Sequence, residues 1–170
     1  MAKSKTVSMT LEQTLWESAE TMRAKGNQEA SEYKHVVLGL VFLKYVSDKF
    51  TERREELQRE LIGEGFDETQ IESFLEDRDE YSGHNVFWIP GGARWDQLQA
   101  AAKLPGIGQR IDGAMRLIER ANPSLMGVLP RNYGREDLKG EMLGELIDLI
   151  GSIGFGADND HNADDILGRV

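Results

Sequence analysis

The chain has 170 residues, of which 39% are hydrophobic and 29% are charged, and it contains no cysteine. This length and composition predict one soluble globular domain with a core of its own. The lack of cysteine excludes disulfide bonds and thiolate metal sites. A formal net charge of −10 argues against non-specific DNA binding by the domain as a whole. No apolar stretch follows the lysines of residues 1–5, so they form no secretory signal, and the chain is predicted to be cytoplasmic.

Charge is distributed unevenly along the chain. Residues 51–80 hold twelve acidic and four basic side chains, a net charge of −8. Residues 81–140 hold eight basic and five acidic side chains, a net charge of +3, and residues 1–50 are close to neutral. The acidity is therefore a local feature, and it leaves room for a surface that faces nucleic acid elsewhere.

The first predicted helix covers residues 10–22, after a loose tail at residues 1–9. Thr10 and Gln13 fit a capping box at its start. An apolar stripe at helical spacing follows, made of Leu11, Leu15, Ala19 and Met22. Gly26 then breaks the pattern.

A long second helix is predicted from residue 29 to residue 61. Its first half carries an apolar stripe that predicts contact with the core, formed by Tyr33, Val36, Val37, Leu40, Leu43 and Phe50. The uncharged apolar run at 36–43 is eight residues long, far below the roughly 20 that cross a bilayer. The second half is charged on most faces, which predicts a helix that projects into solvent.

The remaining predicted elements are short. Further helices are expected over 67–75, 95–102, 107–118 and 141–150. The run VFWI at 86–89 is β-branched and aromatic, and it is the one predicted strand. The fold class is therefore all-α, a multi-helix domain with one short β element near residues 86–89.

Arg131, Tyr133 and Arg135 are the candidate contact residues for DNA or a partner subunit. They lie in a predicted polar loop within the region of net positive charge, and arginine with aromatic side chains suits such contacts. The alternative, that they are ordinary surface residues, stays open. Trp88 and Trp95 in the same region are predicted to belong to the core.

Three other motifs favour structural interpretations. The run LPGIG at 104–108 resembles the turn of a helix–hairpin–helix element that meets a DNA phosphate, but an ordinary interhelical turn is favoured. The run GSIGFG at 151–156 follows a helix and not a strand, so it fits helix termination better than a cofactor loop. The run NPSL at 122–125 lacks the second proline and the aromatic residue of the amino-methyltransferase box, and a helix stop explains it.

No histidine has a partner at metal-ligand spacing; the three are His35, His84 and His161. The acidic residues at 51–80 show no EF-hand spacing, so a solvated charged face is the favoured interpretation. The sequence therefore predicts no catalytic, cofactor-binding or metal-binding residues in this chain.

Several runs, taken in their order and spacing, resemble one family. They are LWESA at 15–19, the stretch 30–50, ERREEL at 52–57, FWIP at 87–90, ARW at 93–95, NPSL at 122–125, GVLP at 127–130, LGELI at 143–147 and DILGRV at 165–170. Together they resemble the N-terminal helical domain of the modification subunit of type I restriction–modification systems. That family is a DNA adenine-N6 methyltransferase that uses S-adenosylmethionine.

The resemblance implies a domain that is not catalytic by itself but helps to assemble the complex and to clamp duplex DNA. The implied partners are the specificity subunit, a second modification subunit and the restriction subunit, with no membrane. The implied division is a tail at 1–9, a helical domain at 10–156, and at 157–170 a linker and the start of a helix that leads into a missing catalytic domain. The family's catalytic and cofactor motifs have no matching positions here, so we expect residues 1–170 alone not to bind S-adenosylmethionine.

A free-standing helical adaptor for protein–protein interaction, with no tie to methylation, is the alternative. The acidic helix and the lack of a catalytic constellation would fit it. The discriminating observation is whether the reading frame continues past Val170 into a cofactor-binding domain.

Overall fold

The computed structural model describes residues 30–130, 132–135 and 138–152, with side chains from residue 35 onward. These residues form six α-helices and a short 3-10 turn at Pro123–Leu125. In chain order the helices are α1 (Ala30–Gly63), α2 (Glu68–Leu75), α3 (Asp79–Ser82), α4 (Trp95–Ala100), α5 (Ile107–Ala121) and α6 (Gly140–Gly151). No helix among them is long and apolar enough to span a bilayer. The tail at 1–9, the predicted helix at 10–22 and the segment 157–170 lie outside the described residues.

The all-α prediction is confirmed, and α1 is the helix around which the others pack. Its 34 residues span about 51 Å at a rise of 1.5 Å per residue. Helices α2, α3, α4 and α6 all contact it. The predicted core stripe of its first half is buried from Val36 to Phe50, with Leu40 and Leu43 fully inaccessible to solvent. The side chain of Tyr33 lies outside the described residues. Burial of each such leucine stabilises the fold by about 1.5–3 kcal/mol relative to leaving it exposed.

Helices α5 and α6 complete the main core. The stripe predicted on α5 is buried from Ile107 to Ile118, and it packs against the apolar face of α6, which includes Leu146 and Ile150. Helix α4 contacts both of them, and its first residue, Trp95, donates its backbone N–H to the hydroxyl of buried Ser47 at 2.8 Å. This bond fixes the start of α4 on the middle of α1. Trp95 is itself buried, as predicted.

The second half of α1 does not project into solvent, and that prediction was wrong. Leu57 and Leu61 lie four residues apart on one face of the helix, and they pack with Ile71 and Leu75 of α2 in a second, smaller apolar cluster. We call residues 51–80 the acidic arm. Helix α2 begins at the predicted position with a capping box between Asp67 and Gln70, which directs the chain back along α1.

A buried arginine ties the acidic arm together. Arg53 is 5% exposed, and its guanidinium donates to the backbone carbonyl of Glu80 at 2.9 Å and to the carboxylate of Glu56 at 2.6 Å. Arg54 bonds the carbonyl of Leu75 and the carboxylate of Glu76. Arg53 and Arg54 are therefore both paired with carboxylates and backbone carbonyls within the arm.

Residues 86–89 form no strand in the described structure, which corrects the predicted β element. The peptide of Trp88 is instead paired with one side chain: the Asn122 amide accepts from the Trp88 N–H at 3.0 Å and donates to the Trp88 carbonyl at 2.8 Å. The Asn122 amide thus takes the place of a neighbouring strand. Trp88 packs edge-on against Phe50 and Tyr81, so its ring belongs to a cluster of aromatic side chains in the core and not to a sheet.

Candidate functional site

The loop between the 3-10 turn and α6 carries the predicted contact residues, and Tyr133 anchors it. The Tyr133 hydroxyl donates to the carbonyl of Val36 on α1 at 2.9 Å. On α5, the Asp112 carboxylate accepts the backbone N–H groups of Tyr133 and Gly134, both at 2.9 Å. Burial, and to a lesser degree the charge of Asp112, raises the pKa of Tyr133 well above its usual range.

Two glycines make room for this anchor. A Cβ atom on Gly39 would overlap the Tyr133 hydroxyl, and one on Gly108 would overlap the Tyr133 backbone carbonyl. Any side chain at either position would therefore push the loop away from α1 or α5. Within 104–108, Gly108 therefore allows the loop to pack against α5. Gly106 forms the turn itself, with a φ of +79° that glycine adopts readily. This arrangement favours the interhelical-turn interpretation over a helix–hairpin–helix element, because protein backbone already covers the start of α5.

The three predicted contact residues have different surroundings. Tyr133 is only 2% exposed, so its side chain has a structural role and offers no surface to a partner. Arg135 is half-buried at the rim of a cavity of about 360 Å³ that Asn132 and His35 also line. Arg131 lies outside the described residues. Contact of this loop with DNA or a subunit stays a prediction, now centred on Arg135.

An apolar groove adjoins that cavity and shares His35 and Pro130 with it. The groove, of about 320 Å³, is formed by one face of α1 and by the segment after the 3-10 turn, and is lined by His35, Leu38, Gly39, Phe42, Val128, Leu129 and Pro130. Val128 and its neighbour Met126 are 64% and 65% exposed, respectively. Large apolar side chains exposed at an apolar groove mark a surface that a partner can cover.

The motif that resembles a methyltransferase box is structural in this chain. Besides its two bonds to Trp88, the Asn122 amide donates to the carbonyl of Ile118 at 2.8 Å, which caps the end of α5. Both its oxygen and its nitrogen are therefore engaged within the protein. These three bonds fix the Asn122 side chain inside the fold, where it joins residues 86–89 to the end of α5.

Histidines and carboxylates form no metal-binding arrangement in the part of the chain that the structure describes. His35 and His84 are exposed and lie on different elements, and His161 is outside the described residues. His84 borders a polar hollow with Lys49, Glu52 and Glu56.

Sequence reasoning missed one feature, a groove between α4 and the outer face of α5. Arg110, Arg116 and Arg120 line it, together with Gly113 and Leu117 of α5 and with Gly92, Gln97 and Leu98 from the α4 side. We call it the arginine groove; its volume is about 480 Å³. Helical periodicity could have revealed this groove from the sequence. Because Ile107, Ile111 and Ile118 occupy the face of α5 toward the core, the three arginines lie together on its other side.

Comparison with known proteins places these features in a family. The family model described as "HsdM N-terminal domain" matches residues 11–150. The chain is also 34% identical, over 165 residues, to the type I restriction enzyme MjaIX methylase subunit of Methanocaldococcus jannaschii. That alignment covers 94% of this chain and 29% of the relative, so the chain spans less than a third of the length of the curated relative it matches. The chain belongs to the family of HsdM N-terminal domains, the N-terminal domains of type I restriction–modification methylase subunits.

Proposed function

We propose that this domain assembles a type I modification subunit with its specificity subunit and helps to close the complex around duplex DNA. The parent subunit would transfer a methyl group from S-adenosylmethionine to the N6 atom of adenine. The observation that carries the proposal is the family match over residues 11–150, in a chain that spans 29% of its methylase relative. On this view, catalysis and cofactor binding belong to the remainder of the subunit.

The surface around the Tyr133 loop supports the assembly role. Tyr133 fixes the loop to α1 and α5 directly after the segment that lines the apolar groove. Met126 and Val128 stand exposed beside it. A partner that covered both side chains would gain about 1.5–3 kcal/mol from each, enough to matter in a subunit interface. We assign this groove to the specificity subunit, and place the second modification subunit and the restriction subunit elsewhere.

The engaged state of Asn122 supports a non-catalytic role for the domain itself. Its amide is committed to Trp88 and Ile118, and the aromatic side chains nearby are packed in the core. Base flipping needs an open pocket in which an aromatic face can stack on the extruded base. The target adenine is therefore expected to meet the downstream domain.

Deletion of this domain tests the proposal in the full-length subunit. A subunit that lacks residues 1–152 should still bind S-adenosylmethionine in calorimetry, because the cofactor site lies downstream. It should fail to form a stable complex with the specificity subunit in size-exclusion chromatography, and it should lose methylation of the target duplex. Unchanged assembly and methylation after deletion would overturn the proposal.

A matched pair of surface variants then locates the interface. The double variant Met126→Asp and Val128→Asp should weaken assembly by about tenfold to a hundredfold, since each tenfold step corresponds to about 1.4 kcal/mol. Ile62→Asp is the control, because Ile62 is 60% exposed but lies on the acidic arm. Equal effects of the two changes would show that the apolar groove is not the interface.

A further inference from the structure

The arginine groove concentrates positive charge on one face of a strongly acidic chain. At 3.6 residues per turn, Arg110, Arg116 and Arg120 fall within an arc of about 120° of α5, with Gly113 near its centre. Gly113 has no side chain to fill the groove, and a Cβ added there would meet no atom within 4 Å. The result is an open channel whose edges carry guanidinium groups.

These arginines differ from those of the acidic arm in what they contact. Within the described residues, Arg110, Arg116 and Arg120 form no ion pair, whereas Arg53 and Arg54 pair with Glu56, Glu60, Glu72, Glu76 and Glu80. A cluster of like charges on one helix face repels itself in the absence of a counter-charge. Such a cluster is satisfied by an anionic ligand that spans all three side chains.

We propose that the arginine groove binds the sugar–phosphate backbone of duplex DNA without reading its sequence. The inference rests on the proposed function and names the surface through which this domain meets DNA. Guanidinium groups bind phosphate oxygens through two parallel N–H donors, and such contacts position a protein on DNA without specifying bases.

The spacing of the arginines fits an extended polyanion. Along the axis of α5, Arg110 lies about 9 Å from Arg116 and Arg116 about 6 Å from Arg120, at 1.5 Å per residue. The total of about 15 Å corresponds to four or five steps of one DNA strand, at 3.4 Å per phosphate along the helix axis. An α5 helix that lies along the duplex axis can therefore reach several phosphates. A single small anion is too short to span all three side chains.

Salt dependence of DNA binding tests the inference in the full-length subunit assembled with its specificity subunit. Replacing Arg110, Arg116 and Arg120 by alanine removes up to three phosphate contacts, so the slope of log Kobs against log salt should fall by about 2.7. Between 50 and 200 mM salt, the unaltered complex should then lose about 40-fold more affinity than the triple variant. Arg59→Ala, an exposed arginine on the acidic arm, is the control and should leave the slope unchanged.

Gly113 provides a second test that leaves the arginines in place. Gly113→Glu should weaken DNA binding, because it adds a carboxylate to the centre of the groove. Gly113→Gln, of the same shape but uncharged, should weaken it much less. Both variants should melt at or above the temperature of the unaltered protein, since glycine is the poorer helix former and the site has room for a side chain.

Three outcomes would overturn the inference. An unchanged salt slope in the triple variant would show that the groove does not face DNA, even if the deletion experiment upholds the assembly role. Equal effects of glutamate and glutamine at position 113 would show that shape and not charge matters. Loss of subunit assembly in the triple variant would identify the groove as a site for an acidic protein segment. Failure of the proposed function is distinct, because it appears as normal assembly and methylation after deletion of residues 1–152.

Discussion

The acidic arm and the rest of the domain, which we call the body, use the same residue types for opposite purposes. In the body, α1 is buried by apolar contacts on nearly every side, and arginines on α5 are left facing an open groove. In the arm, the same α1 helix is held by a few apolar residues and by Arg53, which is buried among glutamates. An arginine therefore indicates a binding surface only when its neighbours leave its charge unpaired. We place the binding sites for the specificity subunit and for duplex DNA on the body.

The largest effect on stability is expected in the body, from Leu40→Ala. Leu40 is fully buried in the main core, so its truncation should cost about 2–5 kcal/mol. For a domain of this size, that corresponds to a fall in melting temperature of about 5–20 °C. Circular dichroism of the thermal transition measures it. A nearly neutral effect would mean that the stripe is exposed in solution and that the assignment of the core is wrong.

A smaller and more local effect is expected in the acidic arm, from Arg53→Ala. The change removes the bond to the Glu80 carbonyl and leaves carboxylates near one another, but these are partly solvated. The loss of unfolding free energy should therefore be about 1–3 kcal/mol. That is below the roughly 3–5 kcal/mol lost when one partner of a fully buried ion pair is removed. Hydrogen exchange should accelerate in α2 and α3 and remain slow in α5 and α6. Equal acceleration in all four helices would show that arm and body unfold as one unit.

Tyr133→Phe should cost about 0.5–1.5 kcal/mol, because it removes only the hydrogen bond to the Val36 carbonyl. The variant also carries a pH signature. The folded state raises the pKa of Tyr133 above its ordinary value of 10.0, so its neutral form stabilises the fold fully below pH 10. That contribution is lost as pH rises above 10. Denaturant unfolding at pH 7 to 11 should thus show a shallower alkaline decline in the variant than in the unaltered protein, and parallel declines would contradict the anchoring role.

The smallest effect is expected from Glu56→Ala in the acidic arm. Glu56 bonds Arg53 at 2.6 Å, but its side chain is 46% exposed and Arg53 keeps its contacts with Glu60 and Glu80. The change in unfolding free energy should stay within about 0.5 kcal/mol, as is usual for surface positions. A loss as large as that of Arg53→Ala would show that the pair with Glu56, and not the other contacts of Arg53, accounts for its stabilising effect.

The sequence predicted those parts of the fold that depend on local pattern. The stripes of α1 and α5 and the start of α2 at Asp67 are short-range signals, and all three appear in the structure. The packing of the arm was missed because Leu57 and Leu61 are sparse among charges, and only their partners on α2 reveal their role. The prediction of a strand at 86–89 was wrong because the Asn122 side-chain amide, and not a neighbouring strand, pairs with the Trp88 peptide.

The candidate site was harder to predict than the fold. Tyr133 sits in a polar loop by sequence, and only the gaps left by Gly39 and Gly108 show that the loop turns inward. The arginine groove was missed for a similar reason: the net charge of +3 over residues 81–140 was visible, but its concentration on one face of α5 depends on which face is buried. Surfaces are defined by tertiary packing, which local pattern does not encode.

Photo-crosslinking tests most directly the claim that the body, and not the acidic arm, meets DNA. A photoreactive side chain placed at Gly113, in the arginine groove, is compared with one at Ser73, exposed on α2 of the arm. Both are introduced into the full-length subunit assembled on target duplex with its specificity subunit. We predict DNA adducts from position 113 that disappear at high salt, and none from position 73. Adducts from position 73 with none from position 113 would contradict the account.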